Sequence, residues 1–146
     1  MMGVANFFDQ KEKDKIIQAI KDAEHQTSGE IRLHLESRCK GDALERAMQM
    51  FEKLKMHETQ LHNGTLIYLA VKDRKFAIFG DEGINEIVPD NFWEDVKEEM
   101  RSEFQKNNFL EGLTRGIHLV GEKLKENFPY QTDDINELPD DISVGD

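Results

Sequence analysis

Residues 66 to 71 (Leu-Ile-Tyr-Leu-Ala-Val) are apolar without interruption, and only Lys72-Asp73-Arg74-Lys75 separates them from a second apolar run, Phe76-Ala77-Ile78-Phe79. A continuous run of this length, rich in residues that favour strands, marks a strand covered on both faces. Four residues suffice for a hairpin but not for a crossover, so the two strands must be antiparallel. A strand buried on both faces also needs a layer on each side, and the rest of the chain has to supply both.

The flanking segments read as helices and one further strand. Asp9-Gln10-Lys11-Glu12 has capping-box spacing, and Ile16, Ile17, Ile20 and Ala23 follow at helical intervals to an end near His25. Thr27-Ser28-Gly29 breaks that helix. Ile31, Leu33 and Leu35 then alternate with Arg32, His34 and Glu36, the period of a strand over residues 30 to 36 with one polar face. Asp42-Ala43-Leu44-Glu45 repeats the capping spacing ahead of Leu44, Ala47, Met48, Phe51 and Leu54, a second helix. Two more follow the hairpin, one through Phe92, Trp93, Val96, Met100 and Phe104 with Asp90 as its cap, and one through Leu110, Leu113, Ile117, Val120 and Leu124 that stops at Pro129. Helices before, between and after the strands give an α/β chain, a three-layer α/β/α sandwich around a small mixed sheet. We expect one domain over residues 1 to 130 and an acidic, flexible tail over 131 to 146, in which acids mix with Ile135, Leu138, Ile142 and Val144.

Between the third strand and the next helix lies Gly80-Asp81-Glu82-Gly83-Ile84-Asn85-Glu86-Ile87-Val88-Pro89-Asp90, a loop crowded with oxygen-bearing side chains. Glycines 80 and 83 are expected to adopt positive φ and tighten it. Strands one and two, joined through a helix, should be parallel, and the hairpin reverses strand three, so its exit meets the entrances of the other two at one end of the sheet. Glu30 and Asn63 should therefore approach the loop. Carboxylates, an amide oxygen and free loop carbonyls are the ligands of a hard cation, which makes Asp81, Asn85 and Asp90, with Glu30 and Glu82 behind them, candidate ligands of Ca²⁺ or Mg²⁺, in one ion or more. The spacing is not that of an EF-hand.

Other chemistries find less support. The formal net charge is −11, six of those charges lie in the tail, and the −5 left for residues 1 to 130 argues against binding a nucleic-acid backbone. Cys39 is the single cysteine, and with histidines 25, 34, 57, 62 and 118 scattered along the chain no thiolate-rich zinc site is expected. No serine-nucleophile elbow, phosphate-binding glycine loop or dinucleotide fingerprint is present. With no export signal and no apolar run approaching 18 residues, a cytoplasmic monomer without membrane insertion is expected.

Thr27-Ser28-Gly29-Glu30-Ile31, Asn63-Gly64-Thr65-Leu66-Ile67 and Gly83-Ile84-Asn85-Glu86-Ile87-Val88-Pro89-Asp90 together resemble the TPM domain family, over about residues 9 to 129. Asn85 stands where that family has Glu, and Glu86 where it has Gly. The resemblance implies a central sheet of four strands, one more than the periodicity locates, and divalent-metal binding near a sheet edge. Some relatives are described as acid phosphatases. The expected function is a metal-binding regulatory or protein-interaction module whose acidic loop is ordered by the ion; the alternative is a metal-dependent phosphatase acting on phosphomonoesters.

Overall fold

The computed structural model describes residues 6–130 and 142–145. Strands β1 (Ile31–Glu36), β2 (Thr65–Ala70), β3 (Lys75–Gly80) and β4 (Ser143–Val144) form one open sheet in the order β3-β2-β1-β4. β1 and β2 are parallel, with Ile31 opposite Thr65 and Glu36 opposite Ala70. β2 and β3 form the expected antiparallel hairpin, with Thr65 opposite Gly80. Helices are α1 (Gln10–Glu24), α2 (Ala43–Lys53), the single turn α3 (Glu82–Asn85), α4 (Glu94–Gln105) and α5 (Phe109–Asn127).

The period-2 alternation of the strands sorts their side chains into two cores. Leu33, Leu35, Ile67, Leu69 and Ile78 face α1, α4 and α5, where Ile16, Ile20, Val96, Met100, Leu113 and Ile117 complete one buried cluster. Leu66, Tyr68 and Ala70 face the other way, onto Ala47, Met50 and Phe51 of α2. Every residue of β2 is buried, as its unbroken apolar run requires. Each fully buried aliphatic side chain contributes about 1.5–3 kcal/mol, so these two faces supply most of the drive to fold. α1 and α5 approach closely at Gly121, where an added Cβ would lie 2.8 Å from the Ala23 Cβ.

Local sequence signals account for most helix starts. Asp9 accepts from the Glu12 N–H at 2.8 Å while the Glu12 carboxylate accepts from the Asp9 N–H at 3.0 Å, a complete capping box. Asp42 caps α2 through the Glu45 N–H. Asp90 does not cap α4. The chain turns again after Pro89, with the Phe92 N–H on the Pro89 carbonyl and the Glu94 N–H on the Asn91 carbonyl, so Trp93 takes the cap position and the helix begins at Glu94.

The fourth strand comes from residues that the sequence assigns to the acidic tail. Ser143 and Val144 pair in parallel with His34 and Leu35, and the Gly145 N–H donates to the Leu35 carbonyl at 2.7 Å. Two residues carry too little periodicity to be read as a strand; partial burial of Ile142 against the main core is what anchors them. The expectation of a flexible tail otherwise falls on residues 131–141 and 146, outside the described residues.

Candidate metal centre

The parallel and antiparallel pairings bring three chain segments abreast at one end of the sheet. The Thr65 N–H donates to the Glu30 carbonyl at 2.8 Å, and the Asp81 N–H donates to the Gly64 carbonyl at 2.9 Å. Glu30, Gly64 and Asp81 thus continue the ladder past the strand ends, as the topology argument requires.

The glycines of the acidic loop act differently from expectation. No described glycine has positive φ. Gly80 is the last residue of β3, and Gly83 lies inside α3 because a side chain there would not fit. A Cβ on Gly83 would stand 2.3 Å from the Leu61 carbonyl oxygen and 2.5 Å from that of His62, and the Gly83 N–H donates to the His62 carbonyl at 2.9 Å. Left-handed backbone occurs instead at His62, with φ of 49°.

The first half of the loop is a regular turn rather than an irregular one. Asp81 caps α3, with Oδ1 accepting from the Glu82 N–H at 2.8 Å. The Asp81 carbonyl accepts from Ile84 and Asn85, and the Glu82 carbonyl from Glu86. Gly80's carbonyl accepts from the Asn85 side-chain amide at 2.9 Å. The carbonyls of Gly80, Asp81, Glu82 and Ile84 are thus engaged within the turn.

Of the five candidate ligands, Asp81 and Glu82 share one cavity of about 650 Å³, bounded also by His57, His62, Phe79 and the exposed face of α2. Asp81 is 7% exposed, and its Oδ2 has no hydrogen-bond partner among the described residues. A buried acceptor left in that state costs about 1–3 kcal/mol, more when charged. His62 Nδ1 lies 3.5 Å from Asp81 Oδ2 and 3.9 Å from Glu82 Oε1. Glu30 is buried two strand spacings away, roughly 10 Å, and does not line this cavity. Asn85 and Asp90 are exposed and also lie outside it. Among the described residues, no group of three or more His, Cys, Asp or Glu side chains is placed to hold a metal ion. Asp81 Oδ2 is nonetheless an oxygen donor that a cation would satisfy.

The histidines were not legible as site residues from spacing. The signal that would have found His62 is its neighbour Asn63, which the strand order already carries to the acidic loop.

A second polar cluster occupies the opposite end of β1. Glu36 accepts from Arg46 through Nε at 2.9 Å and through its terminal guanidinium nitrogen at 2.6 Å, and from the Tyr68 hydroxyl at 2.7 Å. His34 Nε2 lies 3.4 Å from Glu36, and its Nδ1 is 2.8 Å from the Ser143 hydroxyl of β4. Burial opposes ionisation of Glu36, but hydrogen bonds from Arg46, Tyr68 and His34 outweigh it and hold the carboxyl at about 2. Burial lowers the proton affinity of His34, against the pull of Glu36. Glu36 accepts three hydrogen bonds from inside the fold, two from Arg46 of α2 and one from Tyr68 of β2, so this cluster ties β1 to α2 and β2.

The fold defines a small mixed-sheet α/β/α domain with a cavity beside its acidic loop. The chain belongs to the TPM domain family, which matches residues 2–123. It is similar over 99% of its length to the whole of BA42, a protein of the psychrophilic bacterium Bizionia argentinensis solved by NMR, at 46% identity and a TM-score of 0.91. Two solution structures share the fold at 14% identity. They are the N-terminal domain of the cg2496 protein of Corynebacterium glutamicum (TM-score 0.66, 86% of this chain and 80% of that one) and an N-terminal domain from P. gingivalis (TM-score 0.71, 87% and 83%). No curated protein matches the sequence. Among the described residues no helix is long and apolar enough to cross a membrane.

Proposed function

We propose that this chain is a divalent-cation-binding module, in which Ca²⁺ or Mg²⁺ at Asp81 and Glu82 fixes the acidic loop and presents it to a protein partner. The observation that supports this reading is the buried Asp81 Oδ2, an anionic oxygen without a hydrogen-bond donor among the described residues. Two side-chain carboxylates suit an ion that keeps much of its own water, as Mg²⁺ does, and Ca²⁺ would complete its larger shell in the same way.

Thermal unfolding in EDTA, in excess Ca²⁺ and in excess Mg²⁺ tests it. Binding to the folded state alone adds about 2.7 kcal/mol when free ion stands at 100 times Kd. Asp81→Asn retains an N-cap acceptor while removing the charge, so its melting should no longer respond. A wild-type melting curve that is the same in all three solutions would sink the proposal. Hydrolysis of a phosphomonoester that follows metal occupancy and disappears in Asp81→Asn would move the reading to the phosphatase.

A further inference from the structure

We infer that β4 is an acid-released strap: protonation of His34 lifts residues 143–145 from the edge of β1 and opens the cavity beside them while the rest of the domain stays folded. This end of β1 is the one away from the acidic loop, and the strap operates whether or not a cation is bound there. His34 stands opposite Ser143 in the ladder, is 1% exposed, and has Nδ1 2.8 Å from the Ser143 hydroxyl. Gly145 closes over the other side of the ring. A Cβ there would stand 2.8 Å from Glu36 Oε2 and 3.1 Å from His34 Nε2, so the strand lies directly on the pair. Residues 143–145 also wall a cavity of about 730 Å³ that His34 and Glu36 line from β1 and Arg46 lines from α2.

The surrounding charges set the direction. An imidazolium here would face one carboxylate, Glu36, which already accepts two hydrogen bonds from Arg46 and one from Tyr68. His34 Nε2 lies 3.4 Å from Glu36 Oε2, yet it has no hydrogen-bond partner among the described residues. Tyr68 of β2 stacks on the ring, 6.1 Å between centroids, and adds no charge. Around the rest of the cavity Arg38, Lys40 and Lys53 outnumber Asp42 and Glu45 among the described residues. Burial, Arg46 and Arg32 hold the proton affinity of the ring below its ordinary value, against the pull of Glu36. The element that yields is the one least held. β4 pairs with β1 over two residues and leaves Val144 41% exposed, whereas β2 pairs with β1 over six and is buried throughout. An edge element of this kind opens at a lower free energy than the whole fold. With β4 lifted, His34 faces water and regains an ordinary affinity, so the proton favours the open form. Docking is therefore at full strength above pH 6.5 and weakens about tenfold per pH unit below it, until the docked ring itself titrates.

Amide hydrogen exchange of the full chain, followed by NMR between pH 8 and pH 5, tests this. The Gly145 N–H donates to the Leu35 carbonyl and should exchange at least about tenfold faster than the amides of β2, through local opening. Its protection should fall about tenfold per pH unit below pH 6.5, so that β4 is open while β2 is still protected. His34→Gln should make Gly145 protection independent of pH. Should Gln at position 34 unseat β4 at every pH by its shape, the wild-type His34 ring resonances decide, because they must titrate below 6.5. Constant Gly145 protection across the range, protection equal to that of β2, a pH dependence that survives in His34→Gln, or a ring that titrates at or above 6.5 would each overturn the strap.

Discussion

Replacing Glu36 with Gln should remove a defined portion of the acid sensitivity of this fold. The carboxyl is held at about 2 against an ordinary value of 4.5, and each tenfold difference in proton affinity between folded and unfolded states is worth about 1.4 kcal/mol. The full difference is therefore about 3 kcal/mol. Arg46 is 36% exposed at its side chain, so solvent screens part of the interaction and about 2 to 3 kcal/mol is the expected size. Because the folded-state value is depressed, this stability is complete above pH 4.5 and drains away as pH falls from 4.5 towards 2. His34 adds an earlier phase of the same sign. Its proton affinity is lowered in the fold, so below pH 6.5 the unfolded state takes up the proton more readily and stability declines. Urea denaturation of wild type and Glu36→Gln at intervals from pH 8 to pH 2.5 measures both. The two stability curves should converge below pH 4.5, with the variant lower at pH 7 and flatter in acid. Parallel curves through that window would refute the account, since they would mean that Glu36 ionises equally well in the folded and unfolded chain.

Two further perturbations test the packing. Gly121→Ala gains about 1 kcal/mol of helix propensity, but its methyl would stand 2.8 Å from the Ala23 Cβ and 3.0 Å from the Ala23 Cα, and overpacking of this kind costs about 1–3 kcal/mol; a net loss of about 1 kcal/mol in urea denaturation is expected, and a stabilised variant would show that α1 and α5 part freely. Cys39 is 5% exposed, with its thiol on the Gly41 carbonyl and its own carbonyl capped by Lys75, so a thiol reagent should label it in native buffer only at the rate of local opening; rapid native labelling would contradict that burial.

Much of this fold is legible in the sequence because its signals are local. The unbroken run ending at Val71 announces a doubly covered strand, four polar residues force the hairpin, and Asp9 with Glu12 writes out a capping box that forms as spelled. Even the placement of Glu30 at the same end of the sheet as the acidic loop follows from strand direction alone. Where the reading departed from the structure, the cause was a further local turn in one case and a contact from a distant segment in the other. Asp90 has the chemistry of a cap, but a further turn after Pro89 moves the helix start to Glu94. Gly83 suggests positive φ, yet it is glycine because two carbonyls from residues 61 and 62 press against it.

By itself, then, the sequence determined the α/β/α layering, the antiparallel hairpin and the concentration of acids at one loop, all consequences of periodicity and of connections too short to do otherwise. Tertiary structure decided which donors face each other. It buried Asp81, turned Asn85 back onto Gly80, set Asp90 outside the cavity and brought His62, 19 residues upstream of Asp81 in the chain, to 3.5 Å from its carboxylate. It also recruited Ser143 and Val144 to the edge of β1. No spacing rule encodes the approach of His62 to Asp81 or of Ser143 to β1, because both depend on how separate elements pack and not on the chain between them.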